Sequence, residues 1–184
     1  MTSTILDVQE LEVKFNIVKL RAELKSLREL NDFKETNQLS LTHSGKYSDP
    51  KDQMYDGIGS LYDRNTDAIV GTEDAYTQLC DNIVGTYWEE VINTVTALSP
   101  NPIGRIRLML LNPKTCYSWH QDTDDIRYHV PIVTNSKCFI ATEQGLWRMN
   151  KEGQLYTLVS TVPHTALNAS FYPRIHLVFS TYKK

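Results

Sequence analysis

The sequence of 184 residues has few cysteines and no excess of basic residues, and each shortage excludes a class of protein. Its three cysteines, Cys80, Cys116 and Cys138, are odd in number and form no C-x-x-C pair. Neither a disulfide framework nor a zinc knuckle is therefore indicated. A formal net charge of −3 argues against an electrostatic nucleic-acid binder, because phosphate binding needs a basic surface.

The sequence also lacks the signals of a secreted or membrane-bound protein. Residues 1–4 show no basic region followed by an apolar core, so no signal peptide is indicated. No run approaches the roughly 18 consecutive apolar residues of a membrane span. A hydrophobic content of 41% is ordinary for a globular protein, and the length suits one domain. We therefore expect one soluble domain over residues 1–184, located in the cytoplasm, with neither a nucleic-acid nor a membrane partner.

The first hundred residues predict helices and loops. Apolar residues recur at helical spacing between charged ones; they are Val13, Ile17, Leu20, Leu24 and Leu27. This predicts an amphipathic helix over roughly residues 7–31, packed outside a sheet, with a short coiled-coil or dimer helix as the alternative. Residues 44–75 are polar and predict loops with short strands, including one near Leu39–Thr42. Residues 73–98 predict a second helix, which Pro100 ends.

From Ile103 onward the sequence predicts a series of short strands separated by turn residues such as Asn112-Pro113 and Glu152-Gly153. The predicted strands are Ile106–Leu111, Ser118–Asp122, Tyr128–Val133, Cys138–Thr142, Leu146–Met149, Tyr156–Val159, His164–Ala169 and Arg174–Thr181. Closely spaced strands favour a sandwich or jelly roll, and a two-sheet roll has an interior mouth that can hold a metal. We expect residues 101–184 to form this mainly β core, with residues 1–100 as a helical and loop support region outside it.

The strongest functional signal is the motif His120-Gln121-Asp122 with His164 and Arg174 downstream. Residues two apart on a strand point to the same face, so His120 and Asp122 can bind one ion, and His164 from a second strand can complete the site. Two histidines and one carboxylate leave three positions of an octahedron open, which suits non-haem Fe(II). In such sites a 2-oxo acid takes two positions and O2 the third. Arg174 is then placed to pair with the far carboxylate of the 2-oxo acid.

Residues 105–184 resemble the aspartyl/asparaginyl β-hydroxylase family of Fe(II)- and 2-oxoglutarate-dependent oxygenases. The matching stretches are Gly104–Leu108, His120–Asp122, Arg127–Pro131, Gly145–Trp147, Pro163–Asn168 and Arg174–Leu177. The most specific part is His-x-x-x-Asn followed by Arg-Ile-His-Leu. The animal protein hydroxylases of this family lack the carboxylate of the first motif, whereas Asp122 is present here. The chain therefore looks more like the small bacterial and phage members, some of which act on free amino acids.

The resemblance implies a fold, a reaction and a set of partners. The fold is a double-stranded β-helix, a cupin-like jelly roll with the N-terminal and mid-chain helices packed outside. The reaction is hydroxylation of an amino acid or peptidyl residue, coupled to decarboxylation of 2-oxoglutarate to succinate. The cofactor is Fe(II), the co-substrates are 2-oxoglutarate and O2, and the primary substrate is a small molecule or peptide.

The strand pattern and the resemblance together give roles to individual residues. His120, Asp122 and His164 are the metal ligands and catalytic residues. Asp124 is a solvated loop acid, with exchange of the ligand role from Asp122 to Asp124 or Asp125 as the alternative. Three aromatic residues are candidates for a substrate wall, or else plain core; they are Tyr117, Trp119 and Trp147.

Five residues are candidates for co-substrate binding; they are Arg174, Arg127, His129, Asn168 and His176. Arg127 and His129 are implied to contact the carboxylate nearest the metal, and Arg127 could instead pair with Asp124 or Asp125 on the surface. Asn168 either orients His164 or touches the co-substrate. His176 either lines the pocket or makes a structural hydrogen bond.

Two rival functions stay open at this point. One is a jelly-roll metal protein that uses another cation, for example an isomerase dependent on zinc or manganese. The other is a non-catalytic interaction protein built on the same fold. Fold alone does not decide between an enzyme and either rival, so the decision depends on what the site contains.

Overall fold

The computed structural model describes residues 6–63, 65–66, 68–123 and 125–183, and it contains two facing antiparallel β-sheets. The larger sheet has the strand order β1-β10-β7-β12-β5-β2, and the smaller has the order β6-β11-β8-β9. β3 and β4 form a separate pair. The predicted mainly β jelly roll, the double-stranded β-helix, is confirmed.

The bounds of the elements are as follows. The strands are β1 (Val8–Lys14), β2 (Gln38–Ser40), β3 (Thr42–His43), β4 (Gln78–Leu79), β5 (Ile103–Leu111), β6 (Thr115–Cys116), β7 (Ile126–Val133), β8 (Cys138–Thr142), β9 (Gly145–Trp147), β10 (Gln154–Val159), β11 (His164–Asn168) and β12 (Arg174–Thr181). The α-helices are α1 (Ile17–Leu30), α2 (Pro50–Gln53) and α3 (Tyr87–Leu98). None of the helices in the described ranges is long and apolar enough to cross a membrane.

The central strand β12 separates the main core from the space between the sheets. Ile175, Leu177 and Phe179 belong to the large apolar cluster that also contains the buried faces of α1 and α3. Arg174 and Val178 line a cavity between the two sheets. Alternate residues of a strand point to opposite faces, so one strand supplies both the core and the site.

The predicted helix over residues 7–31 is wrong in its first half. β1 pairs antiparallel with β10, and α1 begins only at Ile17. Asn16 caps this helix, because its side-chain oxygen accepts hydrogen bonds from the backbone N–H groups of the second and third helical residues. Leu11 and Val13 alternate with charged residues, which is strand periodicity. The helical spacing counted from Val13 concealed this alternation.

The predicted helix over residues 73–98 is also too long. Only α3 is an α-helix there, preceded by a 3₁₀ turn at Glu73–Ala75 and by β4, which pairs with β3. Gly85 has a φ of +76°, a left-handed conformation that a helix cannot include. The strand expected near Leu39–Thr42 is present as β2 and β3. β1 and β2 both join the larger sheet, one at each edge, so the support region predicted to lie outside the β core contributes two of its strands.

A buried ion pair fastens the segment before β4 to β5. Arg105 Nη2 lies 2.6 Å from Glu73 Oε1, and Arg105 Nε lies 2.9 Å from Glu73 Oε2. Arg105 also donates hydrogen bonds to the carbonyl oxygens of Gly57 and Gly59, at 3.0 Å each. A Cβ atom at Gly104 would stand 2.4 Å from the Glu73 carbonyl oxygen, so only glycine permits this approach.

Replacing Glu73 with alanine should lower the free energy of unfolding by about 3–5 kcal/mol, because the Arg105 guanidinium would stay buried without its carboxylate. Burial raises the pKa of Glu73, whereas the hydrogen bond and the charge of Arg105 lower it. The net pKa of Glu73 lies below the ordinary 4.5. The stabilisation is therefore present above about pH 4.5 and is lost as the pH falls. Denaturant titrations at neutral and acidic pH measure both effects.

Glu35→Ala, at an exposed position, is the control and should change stability by less than about 0.5 kcal/mol. Equal stability of wild type and Glu73→Ala at neutral pH would contradict the role given to the pair.

Candidate metal centre

Three side chains predicted as metal ligands lie together at one end of the space between the sheets. One ligand atom from each of His120, Asp122 and His164 lies within 4.8 Å of the others. Asp122 Oδ2 is 3.4 Å from His164 Nε2 and 4.0 Å from His120 Nε2. Two imidazole nitrogens and one carboxylate oxygen thus converge on a single point, an arrangement that can hold a divalent cation.

The backbone that positions these ligands differs from the predicted strand Ser118–Asp122. His120 forms an isolated bridge with His164, with N–H···O distances of 3.1 and 2.9 Å. Cys116 of β6 pairs with Leu167 of β11, and His120 pairs with His164. His120 lies four positions after Cys116, whereas His164 lies only three positions before Leu167. One extra residue on one side of a ladder produces a bulge that re-aims a side chain. The strand prediction was wrong here, although the face it assigned to His120 and Asp122 is the one they share.

Both histidines carry a hydrogen bond that fixes which nitrogen is available for a metal. His120 Nδ1 lies 2.8 Å from the Ser118 carbonyl oxygen, and His164 Nδ1 lies 2.9 Å from the Val162 carbonyl oxygen. A carbonyl oxygen only accepts, so Nδ1 carries the proton in each ring. The Nε2 lone pairs therefore face Asp122. Metal-binding histidines in proteins have this second hydrogen bond almost always.

Asp122 is ionised because a cation contacts it. Arg127 Nη1 lies 2.9 Å from Asp122 Oδ2. Burial raises the pKa of this carboxyl group, but the charge of Arg127, together with the contacts of His164 and His120, lowers it overall to about 2. The ligand end of the site thus carries a full negative charge at neutral pH. Asp125, one of the two acids proposed as a partner for Arg127, pairs with Lys183 at 3.0 Å. Asp124, the other acid and the alternative ligand, lies outside the described residues.

A cavity of about 50 Å³ adjoins the metal centre. Its polar lining comes from Tyr117, Arg127, His129 and Arg174 beside the two ligand histidines, and its apolar lining from Met109, Ile140, Leu158, Ala166 and Val178. Both sheets contribute to these walls. The structure thus brings most of the predicted site residues into one enclosed space.

Arg174 is an unneutralised cation inside the fold. Its side chain is 3% exposed, and it makes no hydrogen bond or ion pair with any residue in the described ranges. Burial lowers the pKa of this guanidinium. Burying a charge without a partner is costly, so a buried arginine calls for an anion.

His129 and His176 form a second pair of buried rings. Their centroids are 5.7 Å apart and their planes meet at 76°. Burial and the charge of Arg174 lower the pKa of both rings well below 6.5, so both are neutral. Among the residues the structure describes, no group hydrogen-bonds to any of the four ring nitrogens. The structural hydrogen bond considered for His176 is therefore not made by these residues, and His176 lies behind His129 rather than on the cavity wall.

The role expected for Asn168 needs correction. Its amide nitrogen donates to the carbonyl oxygens of Leu111 and Tyr172, at 3.0 and 2.8 Å. Its amide oxygen accepts hydrogen bonds from Ser170 and Cys138. The side chain neither orients His164 nor has a free donor for a co-substrate. It fastens the turn between β11 and β12 instead.

The three aromatic candidates for a substrate wall have different surroundings. Tyr117 lines the cavity. Trp119, next to a ligand histidine, is 57% exposed. Trp147 Nε1 donates to Thr142 Oγ1 at 3.0 Å, so its indole is held against the smaller sheet.

A larger groove of about 360 Å³ lies elsewhere and is not a rival metal site. Its walls include Arg28, Phe33, Pro113 and Pro173. Its one lining arginine already pairs with Asp32, at 3.1 Å, and its lining residues include neither histidine nor cysteine. The metal-binding and charged side chains therefore concentrate at the smaller cavity, beside His120 and His164.

The fold resembles that of two solved structures. One is AviO1 from Streptomyces viridochromogenes Tue57, with 11% identity, a TM-score of 0.53, and coverage of 95% of this chain and 89% of that one. The other is the viral collagen prolyl hydroxylase from Paramecium bursaria chlorella virus 1, with 9% identity, a TM-score of 0.52, and coverage of 96% and 91%. At such identities the likeness shows the fold alone. No curated protein matches the sequence significantly.

Sequence comparison with protein families gives the stronger result. The family model described as aspartyl/asparaginyl beta-hydroxylase matches residues 14–184. The match includes every predicted site residue and confirms the resemblance seen from residue 105 onward. It also extends that resemblance back through α3 and α1 to the end of β1. The chain belongs to the aspartyl/asparaginyl β-hydroxylase family.

Proposed function

We propose that this protein is an Fe(II)- and 2-oxoglutarate-dependent dioxygenase that hydroxylates an amino acid or a peptidyl residue. The observation that carries the proposal is the unneutralised Arg174 in the same cavity as the metal-binding triad. A ligand that suits both ends has a metal-chelating group and a separate carboxylate, and 2-oxoglutarate has both. Membership of a hydroxylase family supports this class of enzyme.

The donor set fits iron. Two imidazoles and one ionised carboxylate form a facial triad and leave three coordination positions for other ligands. When bound there, iron supplies the activation of O2, by which 2-oxoglutarate is decarboxylated to succinate and CO2 and one oxygen atom is inserted into a C–H bond of the substrate. The protein residues supply charge, orientation and exclusion of water.

The residues around the triad divide these tasks. Arg127 holds the Asp122 carboxylate from the side of the cavity. His129 is neutral and can donate one hydrogen bond to the carboxylate of 2-oxoglutarate nearest the metal. Arg174 binds the distal carboxylate with its planar pair of N–H donors. The apolar part of the wall keeps water away from the reacting atoms.

The primary substrate approaches from the side of His120. The side chain of His120 is 36% exposed, whereas that of His164 is 5% exposed. The cavity itself is lined by Arg127, His129 and Arg174, the side chains assigned to the co-substrate. An amino acid or peptide therefore binds outside the cavity, over the exposed face of the metal centre.

Alanine in place of His120, Asp122 or His164 should lower Fe(II) affinity by more than about 100-fold. Replacing a residue that only hydrogen-bonds to a metal ligand already lowers metal affinity by about 10- to 100-fold. Anaerobic titration with Fe(II) and 2-oxoglutarate measures this through the visible charge-transfer band of the chelated 2-oxo acid. Asp125→Ala is the matched control, since this acid pairs with a surface lysine, and the band should persist in it.

Two results would contradict this ligand assignment or the proposed reaction. Loss of the band in Asp124→Ala or Asp125→Ala, with retention in Asp122→Ala, would show that another carboxylate binds the metal. Tight retention of Zn(II) by the wild-type protein, without a band on addition of Fe(II) and 2-oxoglutarate, would favour the isomerase-like alternative.

Arg174→Lys should raise the 2-oxoglutarate concentration needed for half-saturation by about 10- to 150-fold. Lysine keeps the charge but loses the two-point contact, and a hydrogen bond between charged groups contributes roughly 1.5–3 kcal/mol. Fe(II) affinity should not change, because Arg174 is not a ligand. Coupled assays of succinate formation measure the first quantity, and metal titration measures the second. Arg148→Lys, at an exposed position just after β9, should leave both unchanged. An unaltered 2-oxoglutarate requirement in Arg174→Ala would remove the main support for the dioxygenase assignment.

A further inference from the structure

We propose that one end of the smaller sheet is a docking surface for an acidic polypeptide segment that also carries apolar side chains. The surface consists of a basic rim, formed by Lys114, Lys137 and Arg148, and of the outer face of the smaller sheet beside it. None of the rim residues lines the cavity or belongs to the metal centre, so the proposal does not depend on the proposed function.

The three cations of the basic rim lie side by side although they come from separate turns. Arg148 Nε donates a hydrogen bond to the Ser136 carbonyl oxygen at 3.3 Å. The Lys137 carbonyl oxygen accepts a hydrogen bond from the Ala169 N–H at 2.9 Å, and the Ala169 carbonyl oxygen accepts one from Lys114 Nζ at 2.8 Å. These contacts connect the rim across the ends of β8, β11 and β6, at the opposite end of β11 from the metal ligand.

The basic rim has no acidic partner. Its cations are exposed, and none of them forms an ion pair with a residue in the described ranges. Other surface cations do pair, as Lys151 does with Glu10 at 2.7 Å. No aspartate or glutamate occurs in the stretches that build this end of the sheet, which are 112–119, 136–142, 145–151 and 165–173. In a chain of net charge −3, the rim is thus a local positive patch that attracts anions.

Exposed aromatic rings accompany these cations. Lys114 Nζ lies 4.1 Å from the ring centre of Phe171. Phe171 and Tyr172 are 74% and 72% exposed. Hydrogen bonds from the buried Asn168 side chain to the Tyr172 carbonyl oxygen, at 2.8 Å, and to that of Leu111 fix the turn that carries both rings. A rigid aromatic pair loses little conformational entropy when a partner binds, so the turn is suited to a contact surface.

The outer face of the smaller sheet continues the surface with uncharged side chains. The guanidinium of Arg148 lies 4.8 Å from the ring centre of Phe139, so the rim and the outer face meet there. Strand alternation and register define the members of the outer face as Cys116, Phe139, Ala141, Leu146, Thr165 and Leu167. None of them belongs to either apolar cluster of the fold. A solvated sheet face normally carries polar side chains, so this composition indicates a face that another chain covers.

These features fit an acidic polypeptide better than a nucleic acid. Basic and aromatic side chains together also suit single-stranded nucleic acid. A nucleic-acid strand, however, has a phosphate at every nucleotide, whereas the outer face offers no cation beyond the rim. A polypeptide can place carboxylates against the rim and apolar side chains against Phe139 and Leu146, which is 65% exposed. The positive rim and the uncharged face therefore select the same partner.

A fluorescein-labelled peptide tests the surface directly. One half of the peptide is glutamate and the other alternates leucine with serine, over about eight residues, which span the sheet at roughly 3.3 Å per residue. We expect the wild-type protein to bind it at least about 10-fold more tightly than the same peptide with glutamine in place of glutamate, as measured by fluorescence anisotropy. Added salt should weaken the binding of the acidic peptide, because exposed charges are screened.

Replacing all three cations of the basic rim with glutamine should weaken binding of the acidic peptide by about 3- to 150-fold, since each exposed charge pair contributes modestly. The remaining affinity should depend less on salt than that of the wild type. The control combines Lys14→Gln, Lys25→Gln and Lys51→Gln, at exposed positions elsewhere, which change the net charge equally. It should bind the acidic peptide as the wild type does, and Fe(II) binding should be unaltered in both variants.

Cys116 reports where the peptide binds. It is exposed on the outer face, where it pairs with Leu167, whereas Cys80 and Cys138 are buried. The acidic peptide should slow the alkylation of Cys116 by N-ethylmaleimide in the wild type, and it should do so much less in the variant without the rim cations. Mass spectrometry measures the rate.

Several results would overturn the proposal. Equal affinity for the acidic and glutamine peptides, or unchanged affinity in the rim variant, would show that the rim does not bind carboxylates. An oligothymidylate that binds more tightly than the acidic peptide, and that loses affinity in the rim variant, would make this a nucleic-acid surface. A wild-type dimer that dissociates in the rim variant, measured by light scattering, would mean that a second copy covers the face. The proposed function would survive each of these results, because none of them involves 2-oxoglutarate or the metal.

Discussion

The alternation of side chains along β12 is the constraint on which both the core and the site depend. β12 lies in the middle of the larger sheet, hydrogen-bonded to β7 and to β5, and it is buried throughout. One face contributes Ile175, Leu177 and Phe179 to the apolar cluster under the helices. The other face carries Arg174, which lines the cavity between the sheets, and His176, whose ring contacts that of His129. A shift of one residue in register would bury the charge in the core and expose the apolar face to the cavity.

The charges within the site explain why it should attract anions. Asp122 is matched by Arg127, whereas Arg174 has no matching carboxylate in the described part of the chain. His129 and His176 stay neutral because burial and the nearby guanidinium both oppose a further positive charge. A divalent metal bound at the triad would add two more positive charges. A dianionic co-substrate would offset two of these three positive charges, whereas a monoanionic one would offset only one.

The sequence predicted those parts of the molecule that depend on local periodicity or on close spacing. β8 and β12 agree with the predicted bounds, and His120 and Asp122 share a face. The same reasoning failed where partners distant in sequence decide the structure. Residues 8–14 fit both a strand and a helical spacing counted from Val13, and the antiparallel pairing with β10 decides between the two. Asn168 is engaged by groups as far away as Leu111. The position of Tyr117 opposite Arg174 depends on how the two sheets face each other, which no pattern in either segment encodes.

The polar groups between the sheets also reduce the stability that the fold could otherwise reach. Buried donors and acceptors without partners are destabilising by about 1–3 kcal/mol each. In this chain five such atoms lie on His129, His176 and Arg174 near one cavity, and Asn31 and Trp88 hold two others elsewhere in the described residues. The opposite face of the same strands packs Leu108, Val130 and Leu177 into the large apolar cluster. A concentration of buried polar atoms without hydrogen-bond partners at one place in a fold is typical of a functional site. A ligand that satisfies these groups therefore stabilises the folded state as it binds, since binding to the native state alone shifts the folding equilibrium. Co-substrate binding and folding stability are thus linked through the same few atoms.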